Sequence, residues 1–473
     1  MRLARIRRAR RCLAAHVLVL AVGTTVVSGC DPPPPERPRP NILLISIDSL
    51  RADHLGSYGY ARDTSPEIDR LAAEGVRYET AIAPSPWTLP SHVSLFTALP
   101  PIAHGVLFDP KALDEEALCL AEVLRANGYA TAGFVGGPFL RSIYGLAQGF
   151  DLYDDESVVR PLFESHQGRT SPALVELATR WLEERASGPQ GEPFFLFLHL
   201  WDVHYDYTPP APFDTLFDPD YEGSITAENF ELGDHIHPGM DPRDLEHVVA
   251  LYDGEIRYTD AYVGELLRFL DAHALAQDTI VVLTSDHGEE FFEHGEKGHR
   301  KNLYDETLRI PLIIRYPGRV PAGRVVESLA RLEDVPTTLL ALAGLERPKA
   351  FGAPGAPAAG AARDLSEDFD GTGAEPGRHL AFGDLHGTQS SIRSKDMKLI
   401  LTRHRGAVRA ELYDLEADPG EQQDLRGTRP EGRALFDRFA RWHAWWEERP
   451  TRAVDIELDP EQLEALRSLG YIR

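Results

Sequence analysis

The sequence predicts an α/β fold: a central, mostly parallel sheet flanked by helices, with a smaller C-terminal α+β unit. Three observations predict it. Continuous apolar runs, NILLISI (41–47), PFFLFLHL (193–200) and TIVVLTS (279–285), read as strands buried on both faces, as parallel strands are. Helical patterns separate them, the longest being DLEHVVALYDGEIRYTDAYVGELLRFLDAH (244–273). This alternation gives a layered α/β sheet, and no internal repeat points to a solenoid instead.

The 473 residues allow a large core plus an appendage. Residues 1–29 read as a lipoprotein signal peptide. Arg2, Arg5, Arg7, Arg8, Arg10 and Arg11 form a basic start. Val17 to Val27 is an apolar run, short for a membrane span, and Ser28-Gly29 precede Cys30. Cleavage would leave Cys30 as a lipid-bearing N-terminus and membrane tether. Residues 30–40, mostly DPPPPERPRP, would be a stiff spacer. An uncleaved N-terminal anchor is the alternative.

The main domain is expected at 41–345. After the first strand, PEIDRLAAEGV (66–76) is a short helix with proline near its start. SHVSLFTAL (91–99) is another, opened by Pro90 and Ser91. ALCLAEVLRANG (117–128) is a helix ended by Asn-Gly and holding Cys119, and YATAGFVG then returns as a strand. RIPLIIR (309–315) is a fourth buried strand. Residues 346–377, rich in Ala, Gly and Pro, read as a flexible connection. In the C-terminal subdomain (378–473), DMKLILT (396–402) is a strand, YDLEADPGEQQDL (413–425) a turn, and helices follow.

Composition narrows the function. A hydrophobic share of 42% is that of a globular protein. The formal charge of −25 becomes more acidic still if residues 1–29 and their arginines are removed. Such a surface excludes nucleic acid, which needs a basic footprint. It also repels an anionic substrate at long range. Attraction must therefore be local, from a metal or a few placed cations. Cys12 falls in the signal, Cys30 would be acylated and Cys119 is expected to be buried, so no disulfide is expected.

Metal-type side chains stand at three strand ends. These are Asp48 after the first run, His199, Asp202 and His204 at the end of the second, and Asp286 with His287 after the third. In open α/β sheets the carboxyl ends of strands form ligand sites. One such acid would read as a loop cap; three on one edge read as a cation site. Trp87-Thr88-Leu89-Pro90-Ser91-His92 opens a helix. A hydroxyl there meets free N–H groups and a positive dipole end, and a metal would complete its activation. Thr88 and Ser91 both qualify, and each could equally be an ordinary cap. His235, His237 and His294 read as surface residues.

Five segments, taken in order, carry a family likeness. NILLISIDSLRADHLGSYGY, TLPSHVSLFTAL, TSDHGEEFFEHG, LYDETLRIPLII and ELYDLEADPGEQQDL resemble the sulfatase family of the alkaline phosphatase superfamily, from about Asn41 to Leu425. The resemblance implies an alkaline-phosphatase-like fold and a metal-dependent hydrolase of sulfate or phosphate esters. It implies metal ligation by Asp48, Asp286 and His287, with Thr88 as the nucleophile bridging metal and substrate. It further implies that His204 contacts the transferred group. His199, His299 and the Arg300-Lys301 pair stand where cationic contacts or a leaving-group acid are expected, Arg300 having the better spacing.

The chain departs from the family pattern. Thr88-Leu-Pro-Ser-His92 replaces Cys-x-Pro-Ser-Arg, and oxidation of threonine gives a ketone rather than formylglycine. Threonine resembles the phosphodiesterase and phosphoethanolamine-transferase branches. Ser49 stands where a second carboxylate is usual and His287 where Asn is usual. The Lys and His of a sulfate-contact motif are absent from Gly136-Gly137-Pro138-Phe139-Leu140. Fewer oxygens and an imidazole favour Zn2+ or Mn2+, with Ca2+ as the alternative. A second metal on Asp202, His204 and His299 is a further expectation. Two rival readings are a transferase acting on envelope lipid or glycan and an inactive glycan-binding surface lipoprotein.

Overall fold

The computed structural model describes residues 39–108, 110–155, 170–186, 192–352, 355–356, 361–370 and 379–468. The expected signal and most of the tether lie outside them. Arg39–Arg473 cluster as one compact unit.

Eight strands form the central sheet: β1 Asn41–Ile47, β2 Val76–Tyr78, β3 Ala130–Val135, β4 Leu152–Asp154, β5 Phe194–Leu200, β6 Thr279–Ser285, β7 Leu312–Arg315 and β8 Arg324–Val326. Their order is β8-β2-β7-β6-β1-β5-β3-β4. Strand β1 pairs in parallel with β5 and β6, so it sits at the centre. Alternate residues feed two cores. Leu43, Ile45 and Ile47 enter one and Ile42 and Leu44 the other, as a two-residue period requires.

Strand β7 is the antiparallel member, pairing with both β6 and β2. The expected strand RIPLIIR divides at Pro311, which has no N–H to give a ladder. Arg309–Ile310 pairs instead with Ala81–Ile82 in a small second sheet.

Helices cover both faces. They include α1 Pro66–Glu74, α2 Thr88–Thr97, α3 Leu120–Ala126, α4 Ser171–Ala186, α5 Pro242–Ala272 and α6 Val335–Leu342. Every residue of α2 is buried, so this helix passes through the core rather than over it. Asp241 caps α5 by accepting from the Arg243 N–H at 2.8 Å. Cys119, expected inside a helix, is buried at the N-cap of α3.

Strands β9 Ala381–Leu385, β10 Gln389–Arg393, β11 Met397–His404 and β12 Ala407–Asp414 make an antiparallel C-terminal sheet. Helix α7, Glu431–Glu447, lies on it, with Trp442 stacked on Phe382 at 3.9 Å. The described parts of the expected connection are not loose coil. Phe351, Ala362, Leu365 and Phe369 are buried in the core of the main sheet. Among the described residues, no helix is long and apolar enough to cross a membrane.

Candidate active site

Register builds the site. Ser46 faces His199 across β1 and β5, and Ile47 faces Ser285 across β1 and β6. Asp48 and Asp286 therefore leave the sheet side by side, one residue beyond their strands. Both are fully buried. The loop after β1 is fixed on two sides. Ser285 Oγ accepts from the Leu50 N–H, while Tyr252 of α5 donates to the Ser49 carbonyl and accepts from the Arg51 N–H. Ser49 sits at φ 55° and its hydroxyl donates to Asp48 Oδ1 at 2.9 Å. It orients that carboxylate where a second acid is usual.

Helix α2 points its first turn at the same place. Thr88 Oγ1 lies 3.4 Å from Asp48 Oδ2 and 3.4 Å from His287 Nε2. The helix has no side-chain cap, so the Thr88 hydroxyl is not spent on capping. Ser91 Oγ donates to the Ser85 carbonyl at 2.8 Å, which removes it as the alternative.

Tautomers follow from the carbonyls around the rings, since a carbonyl only accepts. His287 Nδ1 donates to Gly288 O, His199 Nδ1 to Gly136 O and His92 Nδ1 to Thr88 O, each at 2.9 Å. His287 Nε2 then faces Asp48 Oδ1 at 3.6 Å and Asp286 Oδ2 at 3.4 Å. His92 accepts from Ser46 Oγ at Nε2. Burial, then neighbouring His199, lowers His92 to about 3 and keeps it neutral. For Asp48, burial opposes ionisation, but the surrounding histidines, His199 first, hold it below the usual carboxylate range. Burial and then the charge of Asp48 push Asp286 up to about 6.

The donor set suits a divalent cation. Two overlapping trios, Asp48–Asp286–His287 and His92–His199–Asp286, each place their ligand atoms within 4.8 Å of one another. Asp286 Oδ2 and His199 Nε2 are buried without a hydrogen-bond partner. Buried polar atoms are rarely orphaned, and a bound cation would give both a partner.

The remaining predicted residues divide. His204 donates from Nδ1 to Tyr205 O and stacks on Trp201 at 4.1 Å. Its ring is 5.1 Å from that of His299, which lies 4.4 Å from that of His287. His299 Nδ1 is 3.0 Å from Glu289 Oε1. Burial, then His287, drives His299 well below its ordinary value, and burial drives Glu289 well above its own. Arg300, at φ 66°, lays its guanidinium over Trp87 at 4.2 Å and Phe139 at 5.3 Å, beside Thr88. A cation thus stands beside the Gly136–Leu140 segment, which has none. That segment needs Gly137: its φ is +89° and a Cβ would meet the Trp201 ring at 2.0 Å.

Lys301 does not join the site. Its ammonium donates to Glu231 Oε2 at 2.9 Å and to the Lys297 carbonyl at 2.5 Å. Asp202 is also engaged elsewhere. Its oxygens accept from the Thr170 N–H at 2.5 Å and the Ser171 N–H at 2.6 Å, capping α4. The expected second-metal trio of Asp202, His204 and His299 is therefore not among the ligand clusters of the described residues. His294 is not a plain surface residue, being paired with Glu306 at 2.6 Å, whereas His235 and His237 are exposed.

Sequence reading missed His92, Glu289, Trp87 and His386. His92 and Glu289 lie inside quoted motifs, but only burial shows that their side chains point inward. His386 lies in the turn between β9 and β10 of the C-terminal sheet, and its ring meets Trp87 at 5.6 Å. Nothing local in sequence signals that approach.

Comparison with known proteins gives the family. The Sulfatase family model matches residues 40–345. An ulvan-active sulfatase of Formosa agariphila is 28% identical over 430 residues, covering 85% of this chain and 79% of that protein. The multifunctional alkaline phosphatase superfamily protein PehA of Trinickia caryophylli is 27% identical over 497 residues, covering 86% and 95%. The phosphonate monoester hydrolase of Agrobacterium radiobacter shares the fold, with a TM-score of 0.67 and 21% identity over 89% of this chain and 100% of that one. The chain belongs to the sulfatase family of the alkaline phosphatase superfamily and is a hydrolase of that family.

Proposed function

We propose that the protein hydrolyses sulfate or phosphate esters with Thr88 as nucleophile, beside a divalent cation held by Asp48, Asp286 and His287. The observation that carries this is Thr88 Oγ1, unspent on capping and 3.4 Å from both Asp48 and His287. The cation, when bound, supplies Lewis-acid polarisation and neutralises charge that develops on oxygen. Zn2+ or Mn2+ suits the mixed carboxylate and imidazole donors better than Ca2+.

Thr88 Oγ1, its proton passed to solvent, attacks sulfur or phosphorus as an alkoxide, and the bond to the ester oxygen breaks on the opposite side. His204 and Arg300 hold the equatorial oxygens. The leaving oxygen takes a proton from His299, the neutral Glu289 carboxyl at its Nδ1 replaces that proton, and the water of the next step returns one. Water then cleaves the threonine ester and frees Thr88. The substrate class supported by the sulfatase relatives is a sulfated glycan. The threonine favours a second reading, phosphodiester cleavage, because it gives no aldehyde on oxidation and attacks as a plain alcohol. The protein is further proposed to be exported and tethered by lipid on Cys30. Its support is the arginine-rich start, the short apolar run and Ser28-Gly29-Cys30.

The test is hydrolysis of aryl sulfate, aryl phosphate and bis-aryl phosphate esters by the purified protein, with Zn2+, Mn2+ or Ca2+ supplied. Thr88→Ala is expected to lose turnover by roughly 10³-fold or more. Wild-type turnover in Thr88→Ala would end the proposal. The ester that turns over decides between sulfate and phosphodiester.

A further inference from the structure

We infer that His199 is a second imidazole ligand of the cation, on the other oxygen of Asp48 from His287. The inference rests on the metal reading of Asp48, Asp286 and His287 above and specifies it.

Three observations carry it. The first is tautomer. His199 Nδ1 is committed as a donor to Gly136 O, so Nε2 is the nitrogen left to face the site. His287 is held in the same way by Gly288 O. Metal-ligating histidines commonly donate their other N–H to a backbone carbonyl, which fixes the ring and raises its basicity. The second is isolation. His199 is completely buried, and its Nε2 has no hydrogen-bond partner. A buried imidazole nitrogen beside a buried carboxylate oxygen calls for an electrophile between them, and a cation fills that place.

The third is spacing. His199 Nε2 lies 3.4 Å from Asp48 Oδ2, while His287 Nε2 lies 3.6 Å from Asp48 Oδ1 and 3.4 Å from Asp286 Oδ2. Ligand atoms on a tetrahedral ion with bonds of about 2.0–2.1 Å stand roughly 3.4 Å apart. Each separation is that of adjacent ligand atoms, with Asp48 between the two imidazoles, Oδ2 towards His199 and Oδ1 towards His287. The other unpartnered atom, Asp286 Oδ2, shares a trio with His199.

The neighbours do not compete for this role. Ser49 Oγ is donated to Asp48, and His92 Nδ1 is donated to Thr88 O with Asp286 Oδ2 at 3.7 Å. Both ring nitrogens of His92 are therefore engaged, Nδ1 with Thr88 O and Nε2 with Ser46 Oγ. The centre then holds two imidazoles and two carboxylates, a set that selects Zn2+ over Ca2+.

The experiment is X-ray absorption spectroscopy of the protein stripped with chelator and reloaded with one equivalent of Zn2+. The scattering pattern of bound imidazole counts histidine ligands. Two are expected in the wild type and one in each of His199→Gln and His287→Gln. Zn2+ affinity, read by competition with a chromophoric chelator, is expected to weaken about tenfold or more in His199→Gln. A single imidazole in the wild type, lost in His287→Gln and kept in His199→Gln, overturns the inference and leaves the metal reading standing. Zn2+ that fails to bind the wild type, or that binds Asp286→Asn as tightly, overturns both. The wild-type count decides the matter even if a variant does not fold.

Discussion

At the C-terminal edge of the central sheet, two buried carboxylates face each other and a set of imidazoles. At the joint between the main sheet and the C-terminal sheet, buried carboxylates face cations. Asp305 takes both Arg393 Nη1, at 2.7 and 2.6 Å, and Lys398 Nζ, at 2.9 Å. Lys398 is fully buried and also meets Glu421 Oε1 at 2.9 Å. Burial opposes the charge on Asp305, but Arg393 and Lys398 hold it below the usual carboxylate range. Asp286, as deeply buried, is pushed up to about 6 by burial and by Asp48. The same residue type is stabilised in one place and stressed in the other. Structural charge arrives with its counter-ion; functional charge waits for one that the fold does not supply.

Removing one carboxylate from each region should move stability in opposite directions. Asp305→Asn leaves Arg393 and Lys398 short of charge and is expected to cost about 3–5 kcal/mol. The folded fraction should keep its turnover. Asp286 has a folded value above its ordinary 3.8, so its ionised form is disfavoured by folding. It lowers the stability of the metal-free protein progressively as pH rises from 3.8 to about 6. Asp286→Asn is therefore expected to raise the melting temperature of metal-free protein at neutral pH while lowering turnover roughly 10³-fold. Differential scanning calorimetry of both variants, paired with ester hydrolysis, reads this directly. A loss of stability in both would erase the distinction.

The comparison also shows what a sequence can tell. Asp48 and Asp286 were legible because each follows an unbroken apolar run, and a parallel register brings such ends together. Thr88 was legible as a helix start, but its priority over Ser91 was not. That needed Ser91 Oγ on the Ser85 carbonyl. Asp202 had the same strand-end signal as Asp48 and proved to be a cap for α4, because the helix start at Ser171 comes from a distant part of the chain. Residue type and position gave a shortlist; only long-range packing said which groups were already paired. The split of RIPLIIR at Pro311 is a local case, readable from proline chemistry. The burial of Phe351 and Leu365 within an Ala/Gly/Pro-rich stretch is not.

A smaller test concerns neighbours, Arg300 and Lys301. One cation lies over Trp87 beside Thr88, and the other is tied to Glu231. A charged hydrogen bond to the transferred group contributes about 1.5–3 kcal/mol, so Arg300→Ala should lower kcat/KM roughly 10- to 100-fold. Lys301→Ala should leave kcat/KM within about twofold, its contact being a partly exposed ion pair of small worth. Equal losses in steady-state kinetics would mean that both reach the substrate.

The smallest expected effect lies between the two regions, at His294. Its ring stacks on Tyr304 at 3.5 Å, with Nδ1 2.6 Å from Glu306 Oε1 and Nε2 3.1 Å from the Glu421 carbonyl. Both nitrogens face acceptors, which only the protonated ring satisfies. Burial opposes that charge, yet Glu306 and then the Glu421 carbonyl raise the group from 6.5 to about 9. Because the folded value lies above the unfolded one, its contribution to stability is complete below pH 6.5 and fades as pH rises through 9. The melting temperature of wild type should exceed that of His294→Gln below pH 6.5, and the gap should close above pH 9. A gap that is constant with pH would show that His294 acts through its stacking on Tyr304 alone. The joint would then carry no titrating element, and its contrast with the site would be one of fixed charge only.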